Sequence, residues 1–332
     1  MEVKTKPKIF VHSWLSDDLL LKLEKNFNID HHDTAKSILS GKDLLDRVND
    51  VDGILVQSSL IDKSLVESCA NLKIVSNVGV GFDNIDAKFC TKIGVQVTNT
   101  PGILNDAVAD MSMALLLAVA RRVPEGDHLV RSGGFKANFY HLLWGADLKG
   151  ENLGIIGMGS IGRDVAKRAL PFGLNIKYHN RNRLSKDIEE SLNAEWLSLL
   201  DLLKSCRFII ILCPLTNETK HLITIREFKK MKKDSFLINI ARGPIVKESD
   251  LIIALEDKLI SGCALDVYEF EPNYDIKLAK MDNVVLAPHA GSASVKPRKG
   301  MVELAAKNIE KFFLEKNLHQ LHRKKYLKIY NY

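Results

Sequence analysis

No uninterrupted apolar run in this sequence reaches the about 18 residues that a membrane-spanning helix needs. The start, Met1-Glu2-Val3-Lys4-Thr5-Lys6-Pro7, lacks the apolar segment of a signal peptide. Cysteine is sparse and irregularly placed. The five cysteines, Cys69, Cys90, Cys206, Cys213 and Cys263, are odd in number and show no C-x-x-C spacing. That excludes a zinc site or disulfide frame and leaves reduced packing thiols. An excess of one charge is also missing: 47 Lys and Arg against 41 Asp and Glu give +6 over 332 residues. The basic run near the end, His322-Arg323-Lys324-Lys325, reads as a solvated tail rather than a nucleic-acid or membrane contact. There is no internal repeat and no low-complexity segment. These absences lead us to expect a cytoplasmic protein with no metal, no membrane partner and no nucleic-acid partner.

What is present describes a globular enzyme-sized chain. The length of 332 residues fits two domains, and 46% apolar with 27% charged residues is ordinary for a water-soluble fold. From residue 8 to 100, strand-like runs (Lys8-Ile9-Phe10-Val11, Gly53-Ile54-Leu55-Val56, Leu72 to Ser76, Val95 to Thr98) alternate with helical periodicity at Asp17 to Lys25 and Ile61 to Cys69. Continuous apolar strands separated by amphipathic helices predict a parallel sheet covered on both faces. Asn99-Thr100-Pro101-Gly102 is a turn and a domain boundary. The helix after it, from Asn105 or Asp106 to Arg121-Arg122, is apolar nearly all round, which points to burial between domains or subunits. Residues 123–150 show no clear periodic element and carry several aromatics, which fits an arm or loop packed on a partner subunit and equally one packed within its own subunit.

Six further strands are expected at 153–157, 174–179, 207–212, 235–240, 261–266 and 283–287. Together they make a doubly wound dinucleotide-binding domain spanning 103–290. A helix from Val302 to Phe313 then packs back on the first domain. The substrate domain is therefore 1–102 plus 291–332, with the cofactor domain inserted in it.

The inserted domain opens on Leu153-Gly154-Ile155-Ile156-Gly157-Met158-Gly159-Ser160-Ile161-Gly162. A strand, a G-x-G-x-x-G turn and a helix follow one another here. Gly157 permits the tight turn, Gly159 lets the backbone approach a pyrophosphate, and Gly162 lets helix and strand pack closely. The second strand ends at Asn180, 23 residues after Gly157, followed by Arg181, Asn182 and Arg183. An acidic residue there would hold the ribose hydroxyls of NAD and repel a 2′-phosphate. Asn180 beside Arg181 can receive that phosphate, so NADP(H) is the expected cofactor, with NAD(H) possible if the arginines are only solvated loop charges.

Three strand ends carry chemistry. Arg242 lies just past Ile238-Asn239-Ile240-Ala241; Asp266 ends Ala264-Leu265, with Glu271 in the loop beyond; His289 follows Leu286-Ala287-Pro288. Ligands of this fold bind outside the carboxyl ends of the strands, so an arginine, two carboxylates and a histidine can converge at one edge.

These stretches, together with Gly79-Val80-Gly81-Phe82-Asp83-Asn84-Ile85-Asp86, Cys213-Pro214-Leu215-Thr216 and Gly291-Ser292-Ala293, resemble the D-isomer-specific 2-hydroxyacid dehydrogenase family from about Val51 to Phe312. Within it, the resemblance is greatest to the glyoxylate/hydroxypyruvate reductase branch. It implies an α/β chain of two domains, a Rossmann cofactor domain inserted in a flavodoxin-like substrate domain, working as a homodimer. It implies that Arg242 clamps the substrate carboxylate and polarises the keto oxygen. His289 donates a proton to that oxygen in reduction and takes it back in the reverse reaction, and Glu271 holds the His289 ring. Asp266 is implied to face the nicotinamide, and the Val80 and Gly81 amides to receive the substrate carboxylate. The cofactor set extends to Cys213, Pro214, Thr219, Ile240, Ala241 and Gly291. Gln57-Ser58 is small and polar and could admit a hydroxylated substrate. Asp83 and Asp86 read as turn and cap groups, and His12, His31 and His32 receive no role. The expected activity is NADPH-dependent reduction of small 2-keto acids, glyoxylate and hydroxypyruvate first and 2-ketogluconate next. A nucleotide-sensing corepressor-like binding protein is the alternative of a different class.

Overall fold

A computed structural model describes residues 5–136 and 142–315. The basic tail, and Phe139 and Tyr140 of the aromatic stretch, lie outside the described residues. The chain divides into two compact units, Met1–Leu104 with Val295–Tyr332, and Asn105–Ser294.

The first unit runs β1 (Lys8–His12), α1 (Asp17–Glu24), β2 (Asn28–His32), α2 (Gly41–Val48), β3 (Gly53–Val56), α3 (Lys63–Ser68), β4 (Ile74–Asn77), α4 (Ala87–Lys92) and β5 (Gln96–Thr98). Its sheet has the order β2-β1-β3-β4-β5, parallel throughout, which is the flavodoxin-like order. β3 and β4 are buried along their whole length, as parallel strands covered on two faces must be. Asp62 and Asp86 start α3 and α4 by accepting from the Leu65 and Phe89 amides. β2 has no counterpart among the predicted strands. Its sequence, Asn-Ile-Asp-His-His, is polar because it lies at the sheet edge, where burial does not demand an apolar run.

The second unit begins with α5 (Asn105–Ala120) and α6 (Val123–Arg131). It continues β6 (Asn152–Ile156), α7 (Ser160–Ala169), β7 (Asn175–His179), α8 (Lys186–Ser191), β8 (Ala194–Trp196), α9 (Leu199–Ser205), β9 (Phe208–Ile211), α10 (Ile225–Phe228), β10 (Phe236–Asn239), α11 (Glu248–Glu256), β11 (Gly262–Leu265) and β12 (Val284–Leu286). The order β8-β7-β6-β9-β10-β11-β12 is the doubly wound one, parallel throughout, with the strand order reversing between β6 and β9. Seven strands stand where six were expected; the extra one, β8, is three residues at the edge with mixed exposure. The 123–150 stretch, expected to lack regular structure, contains α6. α5 is buried within its own unit, against α7 and the strands β10 to β12. The core is carried by Ile156, Leu202, Ile209, Ile211, Leu237 and Leu265.

The chain then returns to the first unit as α12 (Val295–Leu314). This helix packs on β3, β4 and α1, and the Ser76 hydroxyl donates to the Ala305 carbonyl at 2.9 Å. Among the described residues no helix is long and apolar enough to cross a membrane, and no group of three or more His, Cys, Asp or Glu could hold a metal ion.

Burial fixes what α12 contributes. Ile309 is 1% exposed and Val295 is 73% exposed. Replacing Ile309 by Ala should destabilise the first unit by about 2–5 kcal/mol, while Val295→Ala should stay within about 0.5 kcal/mol. Urea denaturation of the two variants checks this.

Candidate active site

Parallel strands point their carboxyl ends the same way, so the loops after β6, β7, β9, β10, β11 and β12 share one edge of the second unit. The glycine turn after β6 is tightest. Gly157 has φ +106, and a Cβ there would lie 2.4 Å from the Cys213 nitrogen, so the turn and the start of the 213–219 loop meet backbone to backbone. Gly162 is equally constrained: a Cβ would lie 2.4 Å from the Gly157 oxygen. Above Gly159, in contrast, there is open space, and α7 begins there without a side-chain cap. A helix start with bare amides beside open space is a built anion cradle, and it fits a pyrophosphate. Met158 is buried at 1%, so only its backbone faces the loop.

The Met158 amide donates to the Asn180 side-chain oxygen at 2.7 Å, tying the second-strand end to the glycine turn. Arg181 and Asn182 are exposed beside it. Arg183 is turned the other way, forming two 2.8 Å bonds to the Glu189 carboxylate. Glu189 also accepts from the buried Tyr178 hydroxyl at 2.6 Å, which in turn accepts from the Leu184 amide. These bonds, the Arg183 one first, hold the Glu189 carboxyl down to about 2. Thr219 organises the 213–219 loop by accepting from the Thr216 amide and donating to the Pro214 carbonyl, both at 2.7 Å.

The chemistry gathers at the ends of β10, β11 and β12. His289 Nδ1 lies 2.7 Å from Glu271 Oε2. The His289 side chain is half exposed. Burial works against the charged form of Glu271. The bond and charge of His289, the Tyr268 amide and the charge of Arg242 outweigh it, so the carboxyl sits below the usual glutamate range. Asp266 is buried at 1%. Its two oxygens accept from the Ala290 and Gly291 amides at 2.6 and 2.8 Å, and its carbonyl accepts from the His289 amide at 2.8 Å. Burial pushes its carboxyl up, and those amides pull part of the way back. The Asp266 carboxylate thereby supports the His289 loop from below, where His289 itself has φ 53. The Tyr268 hydroxyl, pushed up to about 12 chiefly by burial, stays a donor and binds the Ala287 carbonyl at 2.9 Å.

Arg242 follows Ile240 and Ala241 at the end of β10. Its carbonyl accepts from Asn239, and one guanidinium nitrogen donates to the Ala241 carbonyl at 2.8 Å. A Cβ on the next residue, Gly243, would lie 1.7 Å from the Tyr268 oxygen. The arginine loop and the Glu271 loop therefore lie directly on each other.

In the first unit, Val80 and Gly81 form a turn whose carbonyls accept from Asn99 and Asn77, both at 2.8 Å. Their amides enter none of the hydrogen bonds among the described residues. His12, which has no role in the sequence reading, is fully buried. It accepts from the Leu39 amide on Nε2 and therefore presents Nδ1–H to Ser59, 2.7 Å away. Burial first, then the charges of His32 and Arg47, lower it to about 4. It braces the loop after β3, where Gln57 accepts from Ser13 and Ser58 has φ 64.

The family model for the D-isomer-specific 2-hydroxyacid dehydrogenase NAD-binding domain matches residues 113–291. A glyoxylate reductase of Pyrococcus horikoshii is 46% identical over 312 residues, which is 92% of this chain and 93% of that one. The chain belongs to the D-isomer-specific 2-hydroxyacid dehydrogenase family. It is an NAD(P)-dependent dehydrogenase of the glyoxylate reductase branch. A glyoxylate reductase of Thermococcus litoralis is 45% identical over 92% of this chain and 94% of its own. Among solved structures, an NADPH-dependent glyoxylate/hydroxypyruvate reductase from Sinorhizobium meliloti, in complex with NADP and malonate, is 31% identical with a TM-score of 0.82. It covers 93% of this chain and 94% of its own. These 2-hydroxyacid dehydrogenases share the two-domain Rossmann architecture.

Within this family member, three groups had no signal in the sequence: Tyr268 as a staple, Glu269 and His221. Their partners lie 19, 21 and 48 residues away, and no spacing rule connects them.

Two outcomes follow from these contacts. Asp266→Asn turns an NH₂ toward one of two backbone donors and should destabilise the protein by about 1–3 kcal/mol in urea denaturation. Glu189, with a depressed folded value, contributes stability that is complete above the unfolded glutamate value of about 4.3. It is lost as pH falls through about 2. The gap in urea midpoint between wild type and Glu189→Gln should hold steady from neutral pH to about 4.5 and close below it.

Proposed function

We propose that this dehydrogenase is an NADPH-dependent reductase of small 2-keto acids, with glyoxylate and hydroxypyruvate as leading substrates and D-2-hydroxy acids as products. The observation that carries the reading is the 2.7 Å His289–Glu271 pair, set beside Arg242 at the same strand ends as the glycine cradle. The relatives named glyoxylate reductase support the substrate class.

Arg242 offers a planar fork of donors to a carboxylate and to the neighbouring keto oxygen. His289 delivers the proton to that oxygen. Glu271 orients the ring through Nδ1, leaving Nε2 for the substrate. The nicotinamide, when bound, supplies the two electrons for the carbonyl carbon. Gly157 to Gly162 would hold its pyrophosphate, and Cys213, Pro214, Thr219, Ile240, Ala241, Asp266 and Gly291 would line the path toward the reacting end. The Val80 and Gly81 amides would take the substrate carboxylate. Gln57-Ser58, polar and small, suits a hydroxylated substrate.

The cofactor preference rests on charge. Asn180 has no negative charge to repel a 2′-phosphate, and Arg181 stands exposed next to it. Arg183 is committed to Glu189, so Arg181 is the guanidinium that meets the phosphate. We further propose a cytoplasmic homodimer. α6 has no residue buried in its own unit, and Val123 and Val130 on it are 56% and 59% exposed. A second copy would cover them.

Steady-state kinetics on a keto-acid panel with both cofactors test the activity; nucleotide binding without turnover on any 2-keto acid would leave a binding protein instead. His289→Asn should lower kcat by about 10²–10⁴ with cofactor binding retained. Asn180→Asp with Arg181→Ser should move the NADPH/NADH ratio of kcat/KM toward NADH by about 10-fold or more, whereas Arg183→Ala should leave it nearly unchanged. An equal response to both changes would refute the assignment of Arg181.

A further inference from the structure

Glu269 lies two residues before Glu271, yet its carboxylate serves a different set of groups. Oε1 is 2.6 Å from His221 Nε2, and Oε2 accepts from the Glu248 amide at 2.9 Å. Glu248, the first residue of α11, returns the contact: one of its oxygens accepts from the Glu269 amide at 3.2 Å and the other from the Asp275 amide at 2.9 Å. The segment that presents Glu271 is thus fastened on both sides, at 269 and at 275, to the start of one helix. Both carboxylates are shielded from water, Glu269 at 11% side-chain exposure and Glu248 at 7%.

His221 extends this belt to the other catalytic loop. Its amide donates to the Pro244 carbonyl at 2.8 Å, two residues past Arg242, while its ring holds Glu269. It adopts φ 52, outside the region a histidine prefers, which brings both contacts into reach at once. One residue therefore links the loop that carries Arg242, through its backbone amide, to the loop that carries Glu271, through its ring. Gly243 lies against the Tyr268–Glu269 peptide, so a shift of either loop is felt by the other.

We propose that Glu269 and His221 are positioning residues: they set the distance between the carboxylate clamp at Arg242 and the proton donor pair Glu271–His289. The proposal rests on the catalytic reading given above for those three residues. Neither Glu269 nor His221 touches the reacting atoms. Their effect is on register, and a misplacement of about 1 Å at the reacting centre is enough to cost about 10²-fold in rate.

The test compares three variants of the full-length protein with wild type. Glu269→Gln keeps the side-chain shape but puts an NH₂ against a donor. His221→Leu removes the ring donor at similar volume, and His221→Gln restores a donor nitrogen at that reach. We expect Glu269→Gln and His221→Leu to lower kcat for glyoxylate with NADPH by about 10-fold or more, with KM for NADPH within about 2-fold. His221→Gln should recover most of the loss. The ¹⁵N chemical shift of His289 Nδ1, which reports its bond to Glu271, should move in the first two variants and return in the third. This readout needs no substrate. A wild type that reduces no 2-keto acid would sink the proposed function, while the His289 resonance would still decide the positioning role. Wild-type kcat and an unmoved His289 signal in both Glu269→Gln and His221→Leu would overturn it. If Glu269→Gln does not fold, the comparison of His221→Leu with His221→Gln decides in the same way.

Discussion

A buried carboxylate must find hydrogen-bond donors, and Asp266 finds them in the backbone of the very loop that carries His289. Its two oxygens take the Ala290 and Gly291 amides, and its carbonyl takes the His289 amide. A charge or a polar acid at 1% exposure left without those donors would cost several kcal/mol. Folding the β11 strand into the sheet core therefore forces the turn after β12 to close over its end. His289 is held at φ 53 because the surrounding bonds over-determine it.

The other elements of the proposed catalytic set hang on that arrangement. Tyr268 stitches the Ala287 carbonyl to the loop after β11, and the Tyr268 amide holds Glu271 on the side of His289. Gly243 must be glycine because the Tyr268 peptide occupies the place of its Cβ. Backbone contact of this kind seats the loop that carries Arg242 directly on the loop that carries Glu271, although the two follow different strands. The same economy of space governs the cofactor side, where Gly157 meets the Cys213 backbone across the point at which strand order reverses.

Charge is managed differently at the two ends of this edge. Near His289, Asp266 is buried and satisfied by amides, while Glu271 is a third exposed and faces the histidine. At the end of β7, Glu189 neutralises Arg183 and leaves Arg181 exposed. Of two arginines that look equivalent as Asn-Arg-Asn-Arg, Arg183 pairs with a carboxylate six residues on.

Period and turn chemistry are local, and for that reason the sequence by itself determined the parallel α/β plan, the glycine turn at 157–162, the strand ends bearing Arg242, Asp266 and His289, and the helix that returns at the carboxyl end. Apolar runs betray strands that are buried on both faces, which is why the central strands were legible while the short or polar edge strands β2 and β8 were not. α6 was hidden because none of its residues is buried within its unit. Only the tertiary structure decided which polar groups meet. Asp266 turned out to support a loop, His12 to brace Ser59, and His221 to reach Glu269 across 48 residues. Such pairings depend on where separate strands end in space, and residue spacing along a chain carries no record of that.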